Sequence, residues 1–461
     1  MRSSSRIRPA LSEGSPRGRD ATGGIQGQEN AEVPIIRKDT AMATNRRSFL
    51  RPGMAAGLAA ALGQDLRAES LIEPKPVTVA QLDAAAAGVL KLEGLTSPVK
   101  IASIELFRFE AADDDYYLVR ARSSDGAEGF SFPNSRAAYL YPIFNQLVAP
   151  YFIGKDARQL EALVQGVYRH KSNYKLQGLA LWCPVAWVEF ALLDMLGRIL
   201  HKPVGELFGG VIRREIPAYV ASGSRDTTAQ QEAEKLARLV AETGCRAVKF
   251  KVGGRMSNNA DSIPGRTEAL IPLVRKVLGP DITIQADANS SYDPSKAVQV
   301  GRMLEEIDAY MFEEPCPFDH LEDTKQVADA LTINVAGGEQ ESSERRFRWM
   351  IANNAVQIVQ PDLHYYGGFI RSVRVARMAA VANIDITLHI SGGLGYSQMV
   401  HFASCTPNMG RFQEYEGGVR ETGGWFDPPI VFKDGALTVP IGPGFGIAAA
   451  QDLLKNASKM I

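Results

Sequence analysis

Residues 283–289 read Thr-Ile-Gln-Ala-Asp-Ala-Asn, a short apolar run that ends on the carboxylate Asp287. Two later runs end in the same way, with Glu313 closing one and Glu339 following the next. The three carboxylates recur at intervals of 26 residues. A (β/α)₈ barrel of about 250 residues has about 31 residues per βα unit, so each interval is close to one unit. The stretch therefore predicts three carboxylates at the ends of neighbouring parallel strands.

The same alternation of short apolar strands and amphipathic helices extends over residues 216–424. Eight predicted strands fit the α/β class as one closed (β/α)₈ barrel, of the modified TIM-barrel type. A doubly wound open sheet is the alternative, but no Gly-x-Gly-x-x-Gly follows the first strand, which argues against a dinucleotide site. The predicted strands are Ile216–Ala221, Ala247–Val252, Thr283–Asp287, Tyr310–Glu313, Asn334–Gly338, Gln357–Gln360, Asp385–His389 and Arg411–Glu414. The predicted helices include Thr228–Thr243, Arg266–Leu278, Pro294–Glu306 and Ser343–Asn353.

An α+β module precedes the barrel over residues 98–215. Alternating apolar and polar residues predict three strands, and three helical patterns follow them. We expect residues 425–461 to return to this capping module as a small hairpin. The strands are predicted at Lys100–Phe109, Asp115–Arg122 and Gly126–Phe132, and the helices at Ala138–Val148, Asp156–Lys171 and Val185–Leu200.

Charged side chains stand at the C-terminal ends of seven consecutive predicted barrel strands, where this fold places active sites. Singly, each is explained by a helix cap, a turn or a solvated face, but chance rarely fills seven strands in turn. Converging carboxylates repel and raise one another's pKa, and oxygen-only ligation by Asp287, Glu313 and Glu339 suits one Mg²⁺ ion. In strand order the side chains are Lys249, Lys251, Asp287, Glu313, Glu339, Asp362, His389 and Glu414.

This constellation resembles the enolase superfamily and, within it, the mandelate racemase subgroup. The resemblance extends from about residue 100 to about residue 450. It is carried by Val248-Lys249-Phe250-Lys251, Asp287-Ala288-Asn289, Glu313-Glu314-Pro315, Gly338-Glu339, Pro361-Asp362 before Gly367-Gly368, His389 and Glu414.

The resemblance implies abstraction of the α-proton from a small carboxylate substrate, giving an ene-diolate that magnesium stabilises. The metal ligands would be the three carboxylates named above. Lys251 would act as the base or acid on one face of the α-carbon, and Lys249 would add positive charge beside it. His389, oriented by Asp362, would serve the opposite face. Glu414, if protonated, would donate a hydrogen bond to the substrate carboxylate.

Two groups on opposite faces allow two outcomes. Protonation of a departing β-hydroxyl by His389 makes the enzyme a hydro-lyase that converts an acid sugar to a 2-keto-3-deoxy acid, which is the preferred interpretation. Return of a proton to the α-carbon makes it a racemase or epimerase of a 2-hydroxy acid, and a cycloisomerase comes third. A catalytically silent exported binding protein is the rival from another class. Tyr365, Tyr366 and the stretch from Ser391 are candidates for the pocket lining.

Composition excludes several classes of protein. The chain has 51 Lys and Arg against 52 Asp and Glu, a net charge of −1. It therefore lacks the overall positive charge that attracts nucleic acid. Uninterrupted apolar runs of about 18 residues are absent, so we expect no membrane partner for the mature form. The four cysteines lack a Cys-x-x-Cys pair, which argues against a zinc knuckle. Partners are then a small-molecule substrate and, as the resemblance implies, further copies in a homo-oligomer.

The N-terminal hundred residues have a different composition. Residues 1–41 are rich in Arg, Ser, Gly and Pro and predict a disordered extension. Residues 42–66 carry Arg46-Arg47, a Phe-Leu pair and a mild apolar run, a pattern that resembles a twin-arginine export signal. Residues 67–97 are then predicted to be a linker, with a short helical lead-in as the alternative. These features predict a periplasmic enzyme, with a cytoplasmic location as the alternative.

Overall fold

The computed structural model describes residues 71–111 and 114–460. The predicted extension (residues 1–41), the predicted export signal (residues 42–66) and the start of the linker lie outside these residues. Export therefore stays a prediction, which sequencing of the mature N-terminus would test.

A strap, residues 71–92, runs along the outside of the barrel before the first strand. Its helix α1, Val79–Ala85, begins with a capping box in which Thr78 and Gln81 exchange hydrogen bonds. Ile72 N donates to Asn334 Oδ1 at 2.9 Å, and Leu90 N donates to Glu161 Oε1 at 2.6 Å. The strap therefore connects the barrel with the capping module.

The capping module is an antiparallel sheet covered by helices, as the alternation of its sequence predicts. Strand β1 is Ile101–Ala111, β2 is Asp114–Ser123 and β3 is Glu128–Ser131. The helices are α2 (Ala137–Ile143), α3 (Ala149–Phe152), α4 (Leu160–Arg169) and α5 (Leu179–Leu200). A π-helical turn, Phe144–Val148, joins α2 to α3, and 3₁₀ turns lie at Ala157–Gln159, His170–Leu176 and Val204–Phe208.

Helix α5 forms the core of this module. It is long and apolar enough to cross a bilayer, but 89% of its most apolar window is buried inside the protein. It packs on β2 and β3, so close that a Cβ added at Gly129 would lie 2.2 Å from the carbonyl oxygen of Ala191. Glycine at this position allows the helix to approach the sheet.

The barrel of eight parallel strands is confirmed. Strands β4 to β10 pair in chain order, and β11 pairs with β4. Backbone hydrogen bonds from Ile386 N to Asn408 O and from Gly410 N to Ile386 O join β10 to the segment that leads into β11. The strands are β4 (Glu215–Ala221), β5 (Ala247–Lys251), β6 (Thr283–Asp287), β7 (Met311–Glu313), β8 (Asn334–Gly337), β9 (Ile358–Val359), β10 (Asp385–Ile386) and β11 (Gln413–Tyr415).

Helices follow the barrel strands, and several begin at recognisable caps. Thr228 forms a capping box at the first of them, and Asp293 accepts from Lys296 N at another. The helices are α6 (Ala229–Thr243), α7 (Arg266–Leu278), α8 (Pro294–Glu306), α9 (Leu321–Ala330), α10 (Glu344–Ala352), α11 (Phe369–Val381), α12 (Gly395–Cys405) and α13 (Val419–Thr422), and α13 is followed by a 3₁₀ turn at Gly423–Trp425.

The C-terminal segment corrects one expectation. Its hairpin, β12 (Phe432–Lys433) and β13 (Ala436–Thr438), pairs with β4 of the barrel instead of with the capping sheet. The reason is that Leu437 lies opposite Ile216, where its fully buried side chain joins the main core. After α14 (Ala450–Lys455), the short β14 (Ser458–Lys459) does return to the capping module and pairs with β1.

Candidate active site

The register of the barrel strands places three predicted site residues side by side. Lys251 lies opposite Asp287 across β5 and β6, and Asp287 lies opposite Glu313 across β6 and β7. In parallel strands of equal register, side chains at paired positions point to the same side of the sheet. The three groups therefore project together at the C-terminal mouth of the barrel.

Asp287, Glu313 and Glu339 form a carboxylate cluster. One oxygen from each lies within 4.8 Å of the others, and all three side chains are buried. Burial and the neighbouring carboxylates raise the pKa of Glu313 to about 8, even though Lys249 opposes the shift. Burial would also raise the pKa of Asp287, but Lys251 and Lys249 outweigh it and lower that pKa to about 2. An oxygen-only donor set with this repulsion fits a hard divalent cation.

The turn after β6 fixes the first of these carboxylates. Asn289 N donates to Asp287 Oδ1 at 2.7 Å. Asn289 and Ser290 both have left-handed backbones, with φ of 41° and 63°. Asn tolerates this region because its short polar side chain hydrogen-bonds locally. The turn leads the chain away and leaves the carboxylate facing the mouth.

Lys249 is the most deeply buried cation of the site. Its side chain is 1% exposed, and its Nζ lies 2.9 Å from Glu313 Oε2 and 3.1 Å from Glu414 Oε1. It also lies 5.1 Å from the ring centroid of Tyr219, a cation–π distance. Burial disfavours the charged amine, but Glu313 and Glu414 outweigh it and raise the pKa of Lys249 well above its usual value. Lys249 is therefore a fixed positive charge.

Lys251 and His389 lie next to different carboxylates of the cluster. Lys251 Nζ contacts Asp287 Oδ2, whereas His389 Nε2 lies 3.7 Å from Glu339 Oε2. His389 Nδ1 is 2.8 Å from Asp362 Oδ2. The other oxygen of Asp362 accepts the backbone N–H groups of His364 and Tyr365, so the carboxylate that orients His389 is itself held in place.

The surroundings of Glu414 favour its ionised form. Burial alone would raise its pKa, but the charges of Lys249 and His389 outweigh burial, and the pKa of Glu414 is lowered. Its Oε2 accepts the backbone N–H of Ile390 at 3.0 Å, which also favours the ionised form. Donation of a hydrogen bond to the substrate by Glu414, which requires the protonated form, therefore stays a prediction, and the contact with Lys249 opposes it.

All eight predicted side chains are thus linked by contacts at one mouth, and the structure adds groups that the sequence reading missed. Gln360 Nε2 donates to Glu313 Oε2 at 2.9 Å, and Tyr219 lies beneath Lys249. Gln360 closes a predicted strand, as the charged site residues close theirs, and this position was a signal that could have revealed it. Of the two candidate tyrosines, Tyr365 lies beside His389, with ring centroids 5.9 Å apart, whereas Tyr366 packs on Phe347.

Comparisons with known proteins agree with this geometry. Residues 93–209 match the family model "Mandelate racemase / muconate lactonizing enzyme, N-terminal domain", and residues 231–453 match "Enolase C-terminal domain-like". A solved candidate racemase from Roseobacter denitrificans is 36% identical, with a TM-score of 0.72 over 78% of this chain and 99% of that one. A mandelate racemase/muconate lactonizing protein from Paracoccus denitrificans PD1222, solved in complex with magnesium, is 26% identical, with a TM-score of 0.71 over the same shares. The arabinonate dehydratase of Saccharolobus solfataricus is 28% identical over 331 residues, 70% of this chain and 85% of the relative.

Proposed function

Because the chain belongs to the mandelate racemase / muconate lactonizing enzyme family of the enolase superfamily, we propose that it is a hydro-lyase that removes water from an acid sugar. The product is a 2-keto-3-deoxy acid. The similarity to an arabinonate dehydratase supports this reaction.

The observation that carries the proposal is the placement of two proton-transfer groups around one carboxylate cluster. Lys251 contacts the cluster at Asp287, and His389 approaches it at Glu339. A substrate carboxylate held at the cluster has its α-carbon and β-carbon within reach of both groups. Abstraction of one proton and delivery of another to a leaving group need two such side chains.

Magnesium is the metal we propose for Asp287, Glu313 and Glu339. The fit rests on three buried carboxylates whose oxygens lie within 4.8 Å of one another. It also rests on the raised pKa of Glu313, since the neighbouring lysine does not offset the effect of burial and of the other two carboxylates. The similarity to a protein solved with magnesium supports the choice. When bound, the ion supplies positive charge beside the substrate carboxylate, where negative charge develops during α-proton removal.

In the proposed reaction Lys251 Nζ takes the α-proton, and the electron pair of the C–H bond passes into the carboxylate. Lys249 adds a buried positive charge that favours this build-up of negative charge. His389, oriented by Asp362, gives a proton to the β-hydroxyl as the C–O bond breaks, and water leaves. The resulting enol tautomerises to the 2-keto acid, so the balance is the loss of one water.

Racemisation or epimerisation is the second candidate. The same arrangement favours it if His389 returns the proton to the α-carbon instead of to a β-hydroxyl. The 36% identity to a candidate racemase supports this alternative.

A screen of acid sugars and 2-hydroxy acids in D₂O with Mg²⁺ tests the proposal. We expect exchange of the α-proton by NMR together with formation of a 2-keto acid, and loss of both activities in Lys251→Ala. In His389→Ala we expect loss of keto-acid formation. Lys296→Ala, which removes a lysine paired with Glu268 outside the site, is the matched control and should retain activity. Exchange with inversion and no keto acid would replace dehydration by racemisation, and ligand binding without exchange would favour a silent binding protein.

A further inference from the structure

One segment of the capping module lies over the His389 side of the mouth. Asn134 Nδ2 donates to Ser391 Oγ at 2.9 Å, in the loop that follows His389. Arg136 donates through Nε and Nη2 to the hydroxyl of Tyr365, at 3.0 and 2.6 Å. These contacts join the cap to the loops after two neighbouring barrel strands, so Arg136 belongs to the surroundings of the active site.

Arg136 is a cation held only by neutral groups. Its third hydrogen bond, from Nη1, goes to the hydroxyl of Tyr139 at 2.6 Å. Within residues 71–111 and 114–460 no ion pair to Arg136 is found, whereas five other arginines of the same module each pair with a carboxylate. Those five are Arg108, Arg120, Arg122, Arg158 and Arg198.

Arg136 and its two tyrosine partners have N–H and O–H donors that remain free to bind an anion. A guanidinium has five N–H groups, and three of Arg136 are used, so two remain. The hydroxyls of Tyr139 and Tyr365 accept from Arg136, which leaves their own O–H groups to donate. A positive charge with several convergent donors is the arrangement that recognises a carboxylate. Tyr139 is 55% exposed and Arg136 is half-buried, so these two members of the group can be reached from solvent, whereas Tyr365 is buried.

The distance to the reaction centre suits the far end of a sugar acid. The Tyr365 ring lies 5.9 Å from the His389 ring, and Arg136 Cζ lies 5.0 Å from the Tyr365 ring. The sum of these two distances is the largest possible separation, so Arg136 Cζ is no more than about 11 Å from the centre of the imidazole ring. The proposed dehydration places the β-hydroxyl at His389. In a six-carbon diacid the β-carbon and the remote carboxyl carbon are three bonds of about 1.5 Å apart, roughly 4 Å. With a contact of about 3 Å at each end the total is roughly 10 Å, which lies within this limit.

We propose that Arg136, with the hydroxyls of Tyr139 and Tyr365, binds a second carboxylate at the remote end of the substrate. The substrate class is then the dicarboxylic sugar acids (aldaric acids) in preference to the monocarboxylic aldonic acids. This inference rests on the proposed dehydration, since it names the substrate class of the same site. It makes Arg136 a specificity-determining residue.

The test compares aldaric and aldonic acids of matched stereochemistry in the magnesium-loaded enzyme. We expect the aldaric acid to be the better substrate. Arg136→Gln should lower its kcat/KM by about 10- to 100-fold, mainly through KM, with less than about threefold change for the aldonic acid. Arg136→Lys, which keeps the charge, should recover part of the loss. Arg122→Gln, which removes a cap arginine paired with Glu128, should change neither substrate.

Binding gives a readout separate from turnover. The catalytically inactive Lys251→Ala protein should bind the aldaric acid, and the added Arg136→Gln should weaken that binding by a similar factor. Preference for the aldonic acid, or equal losses on both substrates in Arg136→Gln, would overturn this inference and leave the dehydration standing. If no acid sugar of either class exchanges its α-proton, the proposed function fails and the substrate class with it.

Discussion

Glu313 shows, at the scale of one residue, why a bound cation would stabilise the site. Its pKa of about 8, against an ordinary 4.5, follows from burial and from the nearby Asp287 and Glu339. A carboxyl with a raised folded-state pKa costs stability once the unfolded chain ionises, so the magnesium-free protein should lose stability as pH rises from about 4.5 to about 8. We expect Mg²⁺ to raise the melting temperature more at pH 8 than at pH 6, because at pH 6 the ion must displace a proton.

Differential scanning calorimetry with excess Mg²⁺ or with a chelator measures this difference. Glu313→Gln, which cannot ionise, is the control and should flatten the pH dependence of the magnesium-free protein. Equal stabilisation by Mg²⁺ at the two pH values would contradict the prediction.

Asp362 orients His389, so a substitution at Asp362 should affect the two proton transfers of the proposed reaction differently. In Asp362→Asn the amide oxygen can still accept the N–H groups of His364 and Tyr365, but the amide nitrogen would face His389 Nδ1 and disfavour the required tautomer. We expect keto-acid formation to fall by about 100-fold or more, as loss of an orienting carboxylate does in other acid–base sites. Exchange of the α-proton, which depends on Lys251, should fall much less. Parallel loss of both activities would indicate general disruption of the site.

At the scale of an element, α11 is joined to the cap through its first turn. Glu189 on α5 accepts the backbone N–H groups of Phe369 and Ile370 at 2.6 and 2.9 Å, and it is fully buried. Gly368 makes room for it, since a Cβ there would lie 1.8 Å from Glu189 Oε2. Glu189→Ala leaves two buried donors without partners, so we expect a loss of about 2 to 4 kcal/mol in unfolding free energy by urea titration. Glu189→Gln, which keeps one acceptor oxygen, should lose less.

Sequence patterns predicted elements well where local chemistry marks both ends. Thr283–Asp287, Arg266–Leu278 and Pro294–Glu306 match the structure in full, and the last follows the cap residue Asp293. The patterns overran at Asp385–His389, since β10 itself has two residues and only a single bridge continues it to His389. Pairing between distant segments leaves no periodic signal, so the barrel contacts of the C-terminal hairpin could not be predicted.

Contacts between distant segments could not be predicted for the site either. The eight side chains at strand ends could be predicted, because the spacing of the strands indicates them, and all eight meet at the mouth. Arg136 and Tyr365 are 229 positions apart, and nothing local to either residue indicates that they touch. The contact depends on how the cap lies on the barrel, which is set by packing over the whole interface.

At the scale of the whole molecule, the strap begins at the end of the barrel that lies away from the chemistry. Asn334, which the strap contacts, begins β8, whereas Glu339 follows the end of that strand. Leu82 on α1 is fully buried, so Leu82→Ala should cost about 2 to 4 kcal/mol in urea-induced unfolding while kcat and magnesium affinity stay near wild type. Val79→Ala on the same helix, at a position 49% exposed, is the control and should cost little. A parallel fall in kcat of Leu82→Ala would show that the strap acts on the site.

The pairing of β14 with β1 has a consequence for folding during synthesis, because the two strands are translated at very different times. Strands β1 to β3 emerge more than three hundred residues before Ser458, an interval of roughly 15 to 65 s at about 5 to 20 residues per second. Until then the outer edge of β1 has no partner at Phe107 and Arg108, and its charged side chains, among them Glu105 and Glu110, discourage pairing with another nascent chain. Lys459 then meets Glu105 at 2.9 Å, so a strand translated much later completes a sheet whose first three strands were made long before it.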